Sequence, residues 1–451
     1  MTVCISSLRN CFEGAVPSAL ATCSGDGVPN IAYLSQVQYV DHQHVALTFQ
    51  FFNKTRQNIL ANPQAVLKLA DPLSGGSYAL QVRYLRTETS GPLFESMKAK
   101  LAGIASHTGM ADVFKLLGSD IYRVEQVTTV VPPMPGRVMV EPDLLPRLRH
   151  MTTRLNACRD LSDLLDQTLA VLQEVCGIEH TMILKLDECG ERLFTVASRG
   201  YEQSGVGSEI PMGHGVIGVA ARERTPIRIS HMTSEYIYGK AVRGSVEALG
   251  LHHQLETAIP MPGLPETRSQ LAVPILAGQQ LYGVLYVESP QDLRFSYDDE
   301  DMLQILAQQF GWMARDLACA ELSESAASES AHASEADEVQ STSGGPVQVR
   351  YFRADHSVFL DEDYLIKGVA GAIFWKLVQL MQTEGRAQFT NRELRLDGGL
   401  GLPDVADNLE ARLVLLQRRL AERQACVQMH KTGRGRFALS ASRPLRLVSA
   451  D

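Results

Sequence analysis

At 451 residues the chain exceeds the size at which a single hydrophobic core stops growing, so two or three domains are expected. Its 45% hydrophobic and 21% charged residues are ordinary for a soluble globular protein, and no stretch approaches the roughly 20 consecutive apolar residues of a membrane span. A net charge of −9 excludes a protein that coats nucleic acid over its whole surface, but leaves room for one basic module.

The N-terminus, MTVCISSLRNCFEG, has no apolar run behind a basic start and does not read as a secretion signal. Cysteines stand at 4, 11, 23, 158, 176, 189, 319 and 426 without a CxxC pair, which suits reduced thiols and a cytoplasmic location. Cys4, Cys11 and Cys23 fit no ligand spacing and read as small buried hydrophobes or spare thiols.

Two boundaries divide the chain. Residues 132–146 carry Pro132, Pro133, Pro135, Pro142 and Pro146 and read as a hinge. Residues 321–345 hold six acids, seven serines and no Lys or Arg, and read as a flexible linker that cannot bury enough surface to offset its ordering entropy. The modules are therefore 1–131, 147–320 and 346–451.

In the first module, PSALATC (17–23), the turn SGDGVPN, IAYLSQVQYV (31–40) and HVALTFQFF (44–52) give strand signals. NKTRQNILANP (53–63) reads as a short helix, and further strands follow at AVLKLAD, SYALQVRYLRTETSG and DIYRVEQVTTVV. PLFESMKAKLAGIASHT (92–108) is a helix with Leu93, Met97, Leu101 and Ile104 at helical spacing, and His107 at its end reads as a cap partner. Many antiparallel strands with few helices suggest a small closed barrel. The order of strand, DGxPN turn, two strands and (F/Y)xxKTRxxxLxxNP resembles the pyridoxamine 5′-phosphate oxidase-like, FMN-binding split barrel over about 130 residues. That resemblance implies that Asn53, Lys54, Thr55 and Arg56 hold a flavin phosphate, with Phe49, Gln50, Phe51 and Ser35 beside the ribityl chain and ring. Lys and Arg with hydroxyl and helix N-terminal N–H donors suit a phosphate dianion. The oxidase's basic pair on the preceding strand is replaced here by AYLSQVQ, so FMN binding rather than pyridoxamine phosphate oxidation is carried over.

The second module opens on LSDLLDQTLAVLQEVCG (161–177), a helix with Leu161, Leu164, Leu165, Thr168, Leu169 and Leu172 on one face. Strands follow at 180–188 and ERLFTVASRG, then a Gly-rich turn, short helix and strand in 210–231. The turn GHGVIG, the LAVPI and LYGVLYVES strands and the helix after FSYDDEDM closely resemble the GAF family over about 160 residues. The resemblance implies an α/β sandwich around an antiparallel sheet and an unidentified small-molecule ligand, with His214, His231, Tyr236, Tyr238, His252 and His253 as candidate contacts. Leu303, Leu306, Phe310 and Met313 form an apolar stripe on the closing helix, read either as a homodimer face or as packing onto the module's own sheet.

The third module changes sign. Residues 386–446 hold twelve Lys/Arg against six acids, a net of +6, which leaves −15 for the remainder. Such asymmetry is expected of a nucleic-acid-binding module. A leading hairpin, an apolar helix ending at Gly385, a short helix capped by Thr390 or Asn391, a longer helix over 405–424 and the hairpin VQMHKTGRGRFALSA follow in order. Leu409, Leu413, Leu416 and Leu420 share one face of the long helix, with Arg412, Arg418, Arg419 and Arg423 largely off it. The helix NLEARLVLLQRRL and the hairpin KTGRGRFAL resemble the winged helix-turn-helix of OmpR-type regulators, which implies that Asn408, Arg412 and Arg419 face bases or phosphates and Lys431, Arg434 and Arg436 meet phosphates.

The whole reads as a multidomain α+β protein: split β-barrel, GAF sandwich, winged helix. The expected function is a one-component transcriptional regulator that responds to a small-molecule ligand or redox state, is homodimeric, binds DNA and has no membrane partner. An FMN-dependent oxidoreductase regulated by its GAF domain is the alternative, and a sensor acting through protein contacts alone is a third.

Overall fold

In the computed structural model the described residues are 4–14, 16–34, 36–50, 53–107, 116–134, 144–230, 259–327, 345–398, 409–433 and 435–450. Among them no helix is long and apolar enough to cross a membrane, and no group of His, Cys, Asp or Glu is placed to hold a metal ion.

Alternating burial organises the N-terminal unit. Strands β1 (Ser18–Cys23), β2 (Pro29–Leu34), β3 (Val37–Tyr39), β4 (His44–Phe49), β5 (Gln64–Ala70), β6 (Ser77–Glu88) and β7 (Gly118–Val131) form one curled antiparallel sheet in the order β2-β1-β5-β6-β7-β4-β3. Leu20, Leu47, Leu67, Leu69, Leu80, Val82 and Tyr122 fill its concave side. On the convex side Ile31 and Tyr33 are 72% and 82% exposed. Period-two patterning places these residues on opposite faces of the sheet. A 3-10 helix, Ile5–Phe12, buries Ile5, Leu8, Cys11 and Phe12 in the same core, so Cys11 is the small hydrophobe anticipated. Burial pushes its thiol up to about 12. Helix α1 (Lys54–Ala61) is capped by Asn53, whose side chain accepts from the Arg56 N–H. Helix α2 (Pro92–His107) packs Phe94, Met97 and Leu101 on Ala46 and Leu116.

The central unit has strands β8 (His180–Leu186), β9 (Arg192–Arg199), β10 (Glu209–Pro211), β11 (Ile227–Ile229), β12 (Ser269–Ala277) and β13 (Gln280–Ser289), ordered β10-β9-β8-β13-β12-β11 and antiparallel throughout. Helices α3 (Leu144–Asn156), α4 (Leu161–Cys176) and α6 (Tyr297–Ala327) cover one face, and α5 (Gly215–Glu223) the other. Asp160 caps α4 by accepting from the Asp163 N–H, and Gly177 ends it with a left-handed φ of 63°. The apolar stripe of α6 turns inward: Leu303, Leu306 and Phe310 are buried in the unit's own core and Met313 packs beside them. Among the described side chains of α6, the exposed large apolar ones are instead Ile305 and Trp312. Helix α6 also continues to Ala327, six residues past the expected start of the linker.

The middle of this sheet admits no extra atom at Gly283 on β13, where a Cβ would lie 1.9 Å from the Leu184 carbonyl oxygen. Gly283→Ala must therefore spread β8 from β13, and a cost of about 3 kcal/mol is expected in urea unfolding. A cost under about 1 kcal/mol would show that the two strands part easily.

The C-terminal unit pairs β16 (Asp363–Ile366), β15 (Ser357–Leu360), β14 (Val347–Phe352) and β20 (Leu445–Ala450) in that order, with β14 and β20 parallel. Then come α7 (Gly368–Glu384), β17 (Gln388–Thr390), α8 (Asn391–Leu396), α9 (Leu409–Glu422), β18 (Val427–Gly433) and β19 (Arg436–Ala441), with a second sheet ordered β17-β19-β18. Thr390 and Glu393 form a reciprocal capping box on α8. Leu409, Leu413, Leu416 and Leu420 of α9 belong to the same continuous apolar cluster as Leu161, Leu165 and Phe194 of the central unit. The C-terminal unit is thus packed against the central one rather than merely tethered to it.

Candidate functional site

Two gatherings of charged side chains include residues singled out in the sequence. The first is a cleft of about 100 Å³ at the end of β4, lined among others by Tyr33, Phe49, Gln50, Asn53, Thr55, Arg56 and Asp120. It is smaller than the 300 to 1,000 Å³ usual for organic ligands, so it fits the anionic end of a cofactor rather than a whole flavin. Arg56 is its charged centre, but it already has a partner. Its Nη1 donates to both Asp120 oxygens at 2.6 Å, its Nη2 donates to Thr87 Oγ1 at 2.9 Å, and its guanidinium lies 4.3 Å from the Phe49 ring centroid. Burial outweighs the Thr87 and Arg56 hydrogen bonds and lifts the Asp120 carboxyl above its usual range. Asn53 uses its side-chain oxygen on the helix cap, Thr55 Oγ1 accepts from Asn30 Nδ2 at 2.9 Å, and Lys54 is exposed. Gln50 Nε2 donates to Thr48 Oγ1 at 3.4 Å, while Ser35 and Phe51 lie outside the described residues.

Asp120 and Thr87 had no local signal in the sequence, because they reach Arg56 from β7 and the end of β6. A phosphate arriving at Arg56 competes with this carboxylate. If this cleft takes the phosphate of FMN, Asp120→Asn should tighten that binding about tenfold, read by quenching of flavin fluorescence. Equal affinity in both proteins would remove Arg56 as the phosphate contact.

In the central unit His214 occupies the position before α5, is exposed and makes no side-chain cap hydrogen bond. His231, Tyr236, Tyr238, His252 and His253 lie outside the described residues.

The second gathering is the junction of α9 with the central unit. Arg412 donates from Nη2 to Glu188 Oε2 at 2.8 Å and from Nε to Glu188 Oε1 at 3.3 Å, and its guanidinium sits 3.9 Å from the Phe194 ring centroid. Arg418 Nη2 donates to Asp166 Oδ1 at 2.8 Å, and Lys431 Nζ to Asp160 Oδ2 at 2.7 Å. Arg419 is 3% exposed and donates to the Leu365 carbonyl at 3.2 Å and to Glu422 at 2.8 Å. Glu422 in turn accepts from Ser204 Oγ of the central unit at 2.8 Å. Burial alone would raise the Glu188 and Asp160 carboxyls, but hydrogen bonds and charge from Arg412 and Lys431 more than offset it and hold both below the ordinary range.

The expectation that Arg412 and Arg419 face a nucleic acid is thus corrected for this arrangement: both are buried, one on the central unit and one within its own. Lys431 is likewise engaged, Arg436 is exposed, and Asn408 and Arg434 lie outside the described residues. The amphipathic pattern of α9 located its apolar face; nothing in it disclosed that the arginine-bearing face meets acids more than 200 residues earlier.

Residues 160–313 match the GAF domain family model. In structure the chain is similar to the GAF domain of an Acinetobacter phosphoenolpyruvate-protein phosphotransferase, with 22% identity, 40% of this chain and 94% of that one covered, and a TM-score of 0.30. It is also similar to an FMN-binding protein from Syntrophomonas wolfei, with 15% identity, 28% and 84% coverage and a TM-score of 0.24. In sequence it is 41% identical over 54 residues to an uncharacterised protein of Methanocaldococcus jannaschii, a stretch that is 12% of this chain and 36% of that protein's length.

Proposed function

We propose that this chain, with a GAF sensory domain over residues 160–313, is a ligand-responsive one-component regulator whose basic C-terminal unit is held against that domain until a ligand loosens it. The C-terminal unit is read as a winged helix, because α7, β17, α8, α9, β18 and β19 follow that fold's order and β17 joins the β18–β19 hairpin as a third strand. Helix α9 takes the place of the recognition helix and the hairpin that of the wing. The net +6 of its residues 386–446, on an acidic protein, favours double-stranded DNA as the partner. A homodimer belongs to this reading, since paired output units read paired half-sites.

One observation carries the proposal: Arg412, Arg418 and Lys431 meet three carboxylates of the central unit, Glu188, Asp166 and Asp160. These acids stand where phosphates would, so docking and DNA binding exclude one another. A ligand acts here only if it binds the undocked arrangement more tightly than the docked one, since equal affinity shifts nothing. We read the N-terminal unit as the FMN-binding split barrel, with Arg56, Thr55 and Lys54 toward the flavin phosphate.

The test is binding of the full chain to duplex DNA, by fluorescence anisotropy over a range of salt, before and after Glu188→Gln. Binding that strengthens in the variant and weakens with salt supports the proposal. No binding by either protein, even at low ionic strength, overturns the DNA reading and leaves a sensor that works through protein contacts.

A further inference from the structure

A cleft of about 650 Å³ opens at the end of the central sheet. Its walls are the β8–β9 turn, the β12–β13 turn, the C-terminal end of α5 and the later turns of α6. Three cations are among the residues that line it. Lys185 of β8 is 3% exposed, with its Nζ 4.0 Å from the Tyr282 ring centroid. Arg224 follows α5 in the left-handed region at φ 51°, a position where glycine costs least, and its Nη1 donates to the Gln279 carbonyl at 2.9 Å. Arg315 on α6 is exposed, with its guanidinium 5.6 Å from the Trp312 ring centroid.

Two acids, Asp187 and Glu188, line the same space against three cations. Asp187 turns one oxygen to the backbone N–H groups of Glu191 and Arg192, at 2.9 and 3.1 Å. Glu188 is paired with Arg412 at 2.8 Å, and the charge of Lys185 also acts on it. A buried lysine and two arginines lining one space, roomy enough for an organic ligand, make an arrangement for a multiply charged oxyanion.

We infer that this cleft binds a phosphate-bearing small molecule, its phosphates lying between Lys185, Arg224 and Arg315. The site does not depend on the DNA reading, and it shares none of the histidines and tyrosines singled out in the sequence. It does share Glu188 with the α9 junction. Occupancy and docking are therefore linked, and each alters the other by the same factor.

Trp312 provides the readout. In a Trp375→Phe background it is the sole tryptophan of the chain, since the sequence contains two. Inorganic pyrophosphate and ATP should each shift its fluorescence saturably, whereas adenosine should not. Lys185→Met, which keeps a side chain of similar length in the buried position, should weaken pyrophosphate binding at least tenfold. Arg315→Ala, at an exposed position that leaves folding intact, should weaken it several-fold, and Glu188→Gln should strengthen it. The inference is overturned if pyrophosphate acts without saturation as any salt does, if adenosine responds as ATP does, or if the Lys185 and Arg315 variants bind like the parent.

Discussion

Arg228→Ala should cost about 3 to 5 kcal/mol of folding free energy, far more than loss of an exposed pair such as Arg86 with Glu88. Arg228 lies on β11 with its side chain 3% exposed, and donates to Glu13 at 2.5 Å, Glu300 at 2.7 Å and the Phe295 carbonyl at 3.0 Å. Its guanidinium also sits 4.2 Å from the Tyr297 ring centroid. Glu13 follows the N-terminal 3-10 helix and Glu300 begins α6, so one cation joins the barrel-like unit to the central domain. Truncating it strands two carboxylates with little water to solvate them.

A second cation moderates the loss in a measurable way. Lys100 of α2 is buried beside Tyr297, with Nζ 3.4 Å from the Tyr297 hydroxyl and from the Phe12 carbonyl. Burial first, and the charge of Arg228 second, bring its pKa down to about 8. That folded value lies below the ordinary lysine value of about 10.4, so its contribution to stability is full above about pH 10 and is lost as pH falls through about 8. Without Arg228 the lysine becomes the counter-ion of Glu13 and Glu300 and its pKa rises, so stability should depend less on pH between 8 and 10 in the variant. Urea unfolding across that range checks both claims. A loss below about 1 kcal/mol, or an unchanged pH slope, would show that the two units are not held by this cation.

How much of this was legible beforehand depends on distance along the chain. Helix α4 announced itself through a leucine face and Gly177, and α8 through Thr390, because caps and periodicity are local. Strand β20 did not, since RPLRLVSA has a reason to be a strand only once β14 lies beside it in parallel, about 98 residues away in sequence. Thr55 and Arg56, expected side by side from the sequence, do line one cleft, whereas the carboxylate that occupies Arg56 had no sequence signal. The arginines of α9 were read as solvent-facing because amphipathicity marks one buried face. Here a second unit covers the other, and even Arg412 is only 9% exposed.

That second covering gives the other large effect. In the triple variant Glu188→Gln, Asp166→Asn, Asp160→Asn, α9 should leave the central domain far more often. Asn keeps the cap of α4 while removing the charge at 160, since Asn and Asp cap almost equally well. The pairs of Arg418 and Lys431 are half exposed and are each worth under about 1 kcal/mol. Glu188 with Arg412, 15% and 10% exposed, is worth more, and its loss leaves a buried guanidinium without its anion. Together about 2 to 4 kcal/mol is removed, a shift of roughly 30- to 1,000-fold between docked and undocked forms. Backbone hydrogen exchange over 409–422 should accelerate accordingly, and duplex DNA should bind more tightly by the same factor if docking is what withholds it. Acid should mimic the variant in the parent protein. The folded pKa values of Glu188 and Asp160 are depressed, so their contribution to docking is full above the ordinary carboxylate range near pH 4 and is lost as pH falls through their own lower values. The triple variant should lack that acid-driven rise in exchange. Equal exchange in parent and variant at neutral pH would mean that the leucines alone seat α9, and that the ion pairs do not govern it.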